Sequence, residues 1–266
     1  MRQLSAFHDA GRVRGVFCAI DDTLTTDGRL TALAYAALER LRAAGKLVVP
    51  VTGRSAGWCD HIARLWPVDA VVGESGAFYF CHDAAARRLV RRYRDDEATR
   101  AAQCARLMAV RDRILREVPG SAVAADQPFR ETGLAVDVGD EVPCLSAAAV
   151  ARIVAIMEAS GLTATLGSTR VNGRFGHGDA LAMTRTLMQE RFGVDLDKAC
   201  ADYVFVGASP DDAPMFAFFW NSVGVANACD VLERMPAQPK FITTACCGEG
   251  FAELADMIIR EGASNP

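Results

Sequence analysis

Long apolar runs, a strong net charge and paired cysteine motifs are all missing from this chain of 266 residues. No segment approaches the roughly eighteen apolar residues that a membrane-spanning helix needs. The first ten residues also lack the apolar stretch of a secretory signal. A formal net charge of −4 gives no electrostatic reason to bind nucleic acid or an anionic membrane. We therefore expect neither of these as the main partner.

The nine cysteines are an odd number, are scattered along the chain and lack the spacing of metal ligands. Such a set of thiols would be a liability in an oxidising compartment. The cysteine content therefore predicts a cytoplasmic protein without a disulfide framework.

The composition that is present, 51% hydrophobic and 23% charged, is that of an ordinary globular protein. Over the first 80 residues, short apolar runs alternate with segments of helical spacing. The apolar runs, at residues 13–20, 47–51 and 68–72, each end in a polar turn. This alternation indicates parallel βαβ units, in which ligands bind beyond the carboxyl ends of the strands.

The middle of the chain has a different pattern, with a long helical stretch and neighbouring strand-like segments that suggest an inserted domain. From about residue 178 the alternating pattern resumes. The sequence therefore predicts an α/β fold, a doubly wound, Rossmann-like parallel sheet with an inserted α+β domain. We assign residues 1–82 and 176–266 to the core domain and residues 83–175 to the insertion.

Four short motifs follow one another in this framework, at residues 16–25, 51–54, 179–181 and 207–212. The first contains Ala19-Ile20-Asp21-Asp22-Thr23 after a buried strand, and the second is Val51-Thr52-Gly53-Arg54. Their order around a cap-sized insertion resembles the haloacid dehalogenase (HAD) superfamily. The turn at 73–76 and Val171-Asn172-Gly173 resemble its capped branch, which includes Cof-type, sucrose-phosphate and mannosylglycerate-phosphate phosphatases.

This resemblance implies a Mg²⁺-dependent phosphohydrolase for a phosphorylated sugar or polyol, but the catalytic positions depart from the family. Phosphoryl transfer of this type needs a nucleophilic carboxylate, a proton donor and cations around the phosphoryl oxygens. The family's nucleophile falls on Ala19, whose methyl group cannot attack phosphorus, and Cys18 should point to the other face of its strand. We therefore expect no covalent catalysis by the family's route.

Two further catalytic groups of the family are absent. The lysine of the third motif falls on Ala180, or on His177 if the motif is aligned on Gly178. A metal-binding carboxylate of the fourth motif falls on Ala208. Mg²⁺ prefers hard oxygen ligands, usually with one or two carboxylates. We therefore expect Mg²⁺ to bind weakly or not at all.

At several other positions the residue types match those of the family. By resemblance, Asp21 is the general acid/base and a metal ligand through its carbonyl, and Asp212, with Asp211 nearby, is the remaining acidic metal position. The pairs Asp21-Asp22 and Asp211-Asp212 could also simply cap a turn or a helix. The expected ligand-binding residues are Thr52, Gly53 and Arg54 in the phosphate turn, Ser75 where the family suggests Asn, and Arg130, Arg170 and Asn172 in the cap.

Three interpretations stay open at this point. The chain could be a catalytically inactive scaffold that binds a small phosphorylated sugar or polyol, or a protein partner. It could be a repurposed, metal-independent enzyme that uses Asp21 as a general acid/base. It could also be an alanine-substituted variant of an active phosphatase.

Overall fold

A computed structural model describes residues 1–167, 169–176 and 179–263 of the chain. Its strands are β1 (Arg2–Gln3), β2 (Gly15–Cys18), β3 (Thr25–Thr26), β4 (Arg29–Leu30), β5 (Leu47–Pro50), β6 (Val71–Gly73), β7 (Phe78–Asp83), β8 (Arg88–Tyr93), β9 (Ala122–Val123), β10 (Gly133–Asp137), β11 (Leu162–Leu166), β12 (Arg170–Phe175), β13 (Tyr203–Gly207), β14 (Asn221–Gly224) and β15 (Phe241–Ile242). Its α-helices are α1 (Ala32–Ala43), α2 (Ala56–Leu65), α3 (Glu97–Glu117), α4 (Ala147–Ala159), α5 (Ala180–Phe192), α6 (Leu196–Ala199), α7 (Ala213–Phe218) and α8 (Cys247–Ala263).

The central sheet is parallel, with the strand order β1-β15-β14-β13-β2-β5. Phe17 in β2 lies opposite Phe205 in β13 and Val49 in β5. A parallel bridge between Val51 and Val72 places β6 beside the end of β5. The carboxyl ends of β2, β5, β6 and β13 therefore lie along one edge of the sheet.

The central strands are buried because helices and loops cover the sheet. Val16, Phe17 and Cys18 have no exposed surface, as is typical of parallel strands with both faces covered. The Phe17 ring packs 5.2 Å from that of Phe219. The predicted α/β class, with a parallel central sheet and an inserted cap, is confirmed.

A second, three-stranded sheet has the antiparallel order β6-β7-β8. Residues 88–93, which the sequence analysis places in the insertion, form β8 here and pair with β7. Leu89, Val90 and Tyr93 pack against the main hydrophobic core. This strand thus belongs structurally to the core side, and the chain enters the cap after it. The exact domain limits stay a prediction.

The cap contains its own antiparallel sheet, in the order β11-β12-β10-β9, and its own hydrophobic core. Helices α3 and α4 pack on one face of this sheet through apolar side chains such as Ile114, Ile153 and Met157. The burial of alternate residues along β12 leaves Arg170, Asn172 and Arg174 on the opposite face.

The helices and the cysteines bear on the setting of the protein. Among the described residues, no helix combines the length and apolar character needed to cross a bilayer. All nine cysteines are free thiols.

We predict that Gly76→Ala destabilises the fold far more than Gly28→Ala. Both glycines have left-handed backbones, with φ of +94° and +72°, which costs a side chain about 1 kcal/mol. A Cβ at Gly76 would also lie 2.4 Å from the Asp179 carbonyl oxygen, whereas nothing lies within 4 Å at Gly28. We expect a loss of about 1 kcal/mol for Gly28→Ala and at least about twice that for Gly76→Ala in denaturant unfolding. Equal losses would show that the turn and α5 are not in close contact.

Candidate functional site

The carboxyl-end edge of the central sheet brings together the turns that the motifs predict. The Ala19 amide donates to the Val206 carbonyl over 2.9 Å, and the Thr52 amide donates to the Val72 carbonyl over the same distance. The Ser75 amide donates to the Thr52 carbonyl over 3.0 Å. The first, second and fourth motifs and the 73–76 turn therefore line one continuous surface.

At the end of β2 this surface presents a methyl group in place of a nucleophile. Ala19 is 8% exposed. Cys18, the neighbouring thiol, is fully buried, and this burial raises its pKa. A protonated, inaccessible thiol cannot replace a missing carboxylate as the nucleophile.

Asp21 and Arg54 form a two-pronged ion pair across the site. Arg54 Nη2 lies 2.5 Å from Asp21 Oδ1, and Arg54 Nε lies 3.1 Å from the same oxygen. The guanidinium carbon also lies 4.9 Å from the centre of the Trp58 ring. Asp21 is thus matched by a fixed cation, which the sequence analysis did not predict.

The second motif forms a tight turn beside this ion pair. Thr52 is buried, and its Oγ1 accepts a hydrogen bond of 3.1 Å from the Arg54 amide. Gly53 is exposed, and a Cβ built on it would lie 3.3 Å from Ser75 Oγ. The predicted ligand-binding residues Thr52, Gly53, Arg54 and Ser75 are therefore neighbours.

The fourth motif folds around the Asp212 carboxylate. Asp212 Oδ2 accepts hydrogen bonds of 2.9 Å from the amides of Ala208 and Ser209. Burial, reinforced by the nearby charges of Asp211 and Asp21, raises the pKa of Asp212 to about 6. Ala208 is buried, and Asp211 is exposed.

The third motif lies at the start of α5. Ala180 is the first residue of this helix, and a Cβ on Gly76 would lie 2.6 Å from its amide nitrogen. This contact brings position 180 to the edge of the 73–76 turn. The alternative positions, His177 and Gly178, lie outside the described residues.

Comparisons with known proteins agree with this arrangement at the level of fold. No protein-family model and no curated protein sequence matches the chain. Solved structures do match. A Thermoplasma acidophilum protein superposes with a TM-score of 0.70 at 16% identity, covering 92% of this chain and 98% of that one.

Two further matches carry informative names. A haloacid dehalogenase-like hydrolase from Bacteroides thetaiotaomicron gives a TM-score of 0.68 at 13% identity, covering 92% of this chain and 99% of that one. The sucrose-phosphatase of Synechocystis, solved with sucrose and phosphate, gives 0.62 at 12% identity, covering 92% and 98%. This chain has the haloacid dehalogenase-like fold. At these identities the likeness concerns the fold alone.

In this HAD-like fold the cap touches the phosphate turn directly. Arg130 Nη1 donates to the Gly53 carbonyl over 3.1 Å, and Arg130 Nη2 pairs with Asp126 at 3.1 Å. Arg170 pairs with both Asp126 and Asp140, at 3.1 and 2.7 Å. Both arginines that the sequence analysis selected in the cap are therefore engaged within the protein.

The strongest link between cap and core is Glu74, which the sequence analysis did not select. Glu74 lies in the turn after β6 with φ of 42° and is 5% exposed. Its carboxylate accepts from the amides of Ala56, Glu131 and Thr132 over 3.1, 2.9 and 2.7 Å, and from the Thr132 hydroxyl over 2.5 Å. One core carboxylate thus satisfies three donors of the cap and one at the start of α2.

The donor set of this site does not fit Mg²⁺. Asp21 is held by Arg54, and the buried Asp212 oxygen already accepts two amide hydrogen bonds. Ala19 and Ala208 offer no oxygen from their side chains. Among the described residues, no group of three or more His, Cys, Asp or Glu side chains is arranged to hold a metal. A hard divalent cation needs more free oxygen ligands than these positions supply.

We predict that Glu74→Gln loosens the cap from the core. The amide retains one acceptor but places a donor against the amides of the cap, so we expect a loss of about 2 kcal/mol in denaturant unfolding. Hydrogen exchange at the amides of Glu131 and Thr132 should accelerate. Glu253→Gln is the matched control, because Glu253 also accepts two amides, from Thr244 and Ala245, but makes these contacts within the core.

An unchanged exchange rate at residues 131–132 in Glu74→Gln would contradict the assigned role of this carboxylate. Acceleration there in Glu253→Gln as well would indicate a general loss of stability instead.

We predict that Asp212 makes the stability of the protein depend on pH. The pKa in the folded protein is raised to about 6, so the folded chain binds this proton more tightly than the unfolded chain. The stability that this tighter binding of the proton contributes is complete below about pH 4 and is lost as the pH rises through 6. Measured in EDTA, the free energy of unfolding of Asp212→Asn should therefore rise relative to that of the wild type between pH 4 and 7. A constant difference would refute the shifted pKa.

Proposed function

We propose that this chain is a non-hydrolytic binding protein on a HAD-like phosphatase scaffold, whose ligand is a small phosphorylated sugar or polyol. The observation that carries the proposal is the core site itself. A buried methyl group, that of Ala19, stands at the nucleophile position, and beside it Asp21 is paired with Arg54.

Loss of hydrolysis is supported by the chemistry of three positions. Ala19 lacks the attacking carboxylate, Ala180 lacks the lysine, and Ala208 lacks the metal-binding carboxylate that the family resemblance implies. Removing an enzyme's nucleophile alone can lower its rate by about six orders of magnitude. We infer that Mg²⁺ binding is weak or absent for the same reason.

Retained binding of an anion is supported by the parts of the site that do not depend on those side chains. The turn at Thr52 and Gly53 carries the Gly53 amide and the Thr52 hydroxyl, which are suitable donors to phosphate oxygens, while the amides of Thr52 and Arg54 are already engaged within the protein. Arg54 adds a cation at the same turn, which a phosphate would share with Asp21, and guanidinium groups match phosphate geometry well. The structurally similar sucrose-phosphatase was solved with sucrose and phosphate.

The metal-independent enzyme remains the alternative. Asp21 is mostly exposed and could reach a ligand, but its two oxygens already face the Arg54 guanidinium. No other described contact favours a proton-transfer role for it.

The free thiols agree with a reducing, cytoplasmic setting, which we propose together with a small-molecule ligand.

We predict that the wild-type chain releases no phosphate from a panel of sugar and polyol phosphates with Mg²⁺. The variant that combines Ala19→Asp, Ala180→Lys and Ala208→Asp should release phosphate from at least one of them, because it restores the nucleophile, the lysine and the metal ligand. The best substrate of the variant should bind the wild type without turnover in a calorimetric titration.

Phosphate release by the wild type would overturn the proposal. Turnover by the variant without binding by the wild type would show that the present site has lost its ligand. Failure of both would indicate that the pocket itself has changed and would redirect attention to a protein partner or to chemistry at Asp21.

A further inference from the structure

The open face of the cap sheet carries two polar side chains with unsatisfied groups. Asn172 and Arg174 alternate with buried residues along β12 and therefore point to the same side of the sheet. Asn172 Oδ1 and Arg174 Nε are buried without a hydrogen-bond partner in the described part of the chain. Unsatisfied polar atoms at buried positions are rare and call for a partner such as a ligand or water.

This face looks toward the core site. Gly133 lies opposite Arg174 in the neighbouring strand, and a Cβ built on Gly133 would lie 3.9 Å from Glu74 Oε2. The Arg174 charge also interacts with Asp211, in the fourth motif. Arg174 therefore lies where cap and core meet.

Small and hydroxylated residues surround the two side chains. In the sheet register, Arg174 faces Thr163 and Asn172 faces Thr165 on β11, while Ala135 lies opposite Asn172 on β10. Both threonines are half-buried. The immediate neighbourhood thus offers hydroxyl groups and no carboxylate in the paired strand positions.

Arg174 differs from the other cap arginines at this cleft. Arg130 and Arg170 are paired with Asp126, and Arg100 is paired with Glu131. The Arg174 side chain takes part in no ion pair or hydrogen bond with the described residues; burial and the charge of Arg94 lower its pKa, and the charge of Asp211 opposes this shift. A half-buried guanidinium without a direct ion-pair partner is suited to donate to an anionic group of a ligand.

We propose that Arg174 and Asn172 form a second subsite, which binds an acidic group of a hydroxylated ligand. Arg174 donates to the acidic group, and Asn172 Oδ1 accepts a hydrogen bond from a ligand hydroxyl. With an anion in the Thr52–Gly53 turn, the ligand class becomes a phosphorylated sugar acid or a sugar bisphosphate. The phosphate end of this ligand rests on the proposed function, whereas the subsite for its acidic group does not.

Calorimetric titration of matched ligands tests the subsite. Glucose 6-phosphate and 6-phosphogluconate share the phosphate, but only the second has a carboxylate at the other end. We expect the wild type to bind 6-phosphogluconate at least about tenfold more tightly, the worth of one charge-assisted hydrogen bond. Glucose 1,6-bisphosphate distinguishes a carboxylate from a second phosphate as the preferred group.

Arg174→Gln should abolish this preference. Arg116→Gln, on the exposed side of α3, should keep the preference. Far-ultraviolet circular dichroism and thermal unfolding establish that each variant is folded.

A wild type that binds the acid-bearing ligands no better than glucose 6-phosphate overturns the subsite. A preference that persists in Arg174→Gln overturns it as well. Gluconate and glucose, which lack phosphate, separate the two proposals. If the wild type binds gluconate more tightly than glucose and Arg174→Gln does not, the subsite is supported. This holds even if the Thr52–Gly53 turn binds no anion. If no acid-bearing probe binds, the subsite is refuted.

Discussion

The buried carboxylate of Glu74 is the contact on which the shape of the site depends. It belongs to the core but satisfies the amides of Glu131 and Thr132 in the cap. A buried carboxylate must be hydrogen-bonded to be tolerated, and the amides are equally costly to leave unpaired. Core and cap therefore satisfy each other's buried hydrogen-bonding groups where they meet.

The same constraint shapes the 73–76 turn. Glu74 and Ser75 both adopt left-handed backbones, with φ of 42° and 56°, which ordinary residues avoid. The turn retains this conformation because it is hydrogen-bonded to Thr52 on one side and to the cap on the other. Arg130 adds a contact from the cap to Gly53. The backbone of these turns is thus held by contacts that do not involve positions 19, 180 or 208.

The charges of the core site differ from those that the family resemblance implies. The family resemblance implies several carboxylates around a metal, and their mutual repulsion requires that charge. Here two of those positions are alanine, Asp21 is matched by Arg54, and burial favours the protonated form of Asp212.

Much of the core could be predicted from the sequence because it depends on local patterns. Buried strands that end in polar turns identify the sheet edge where positions 19, 52 and 208 meet. The strand β8 was placed in the cap because its arginines alternate with apolar residues, a pattern that does not reveal which sheet a strand joins. The pairing of Asp21 with Arg54 joins residues 33 positions apart.

Long-range partners also hid Glu74 and Arg174 from sequence reasoning. The cap donors to Glu74 lie 57 and 58 residues further along the chain. Glu74 therefore looked like a turn residue beside Ser75. The family resemblance points to Arg170 and Asn172, and the sequence cannot distinguish an arginine in a direct ion pair, such as Arg170, from one that has none, such as Arg174. Both cases depend on which groups meet across the cleft.

The central claim is that the site binds an anion with its own donors and without Mg²⁺. The most direct measurement is a calorimetric titration of inorganic phosphate into the wild-type chain, once in EDTA and once in excess Mg²⁺. The account predicts saturable binding with the same affinity under both conditions. Binding that appears only with Mg²⁺, or no binding under either condition, would contradict it.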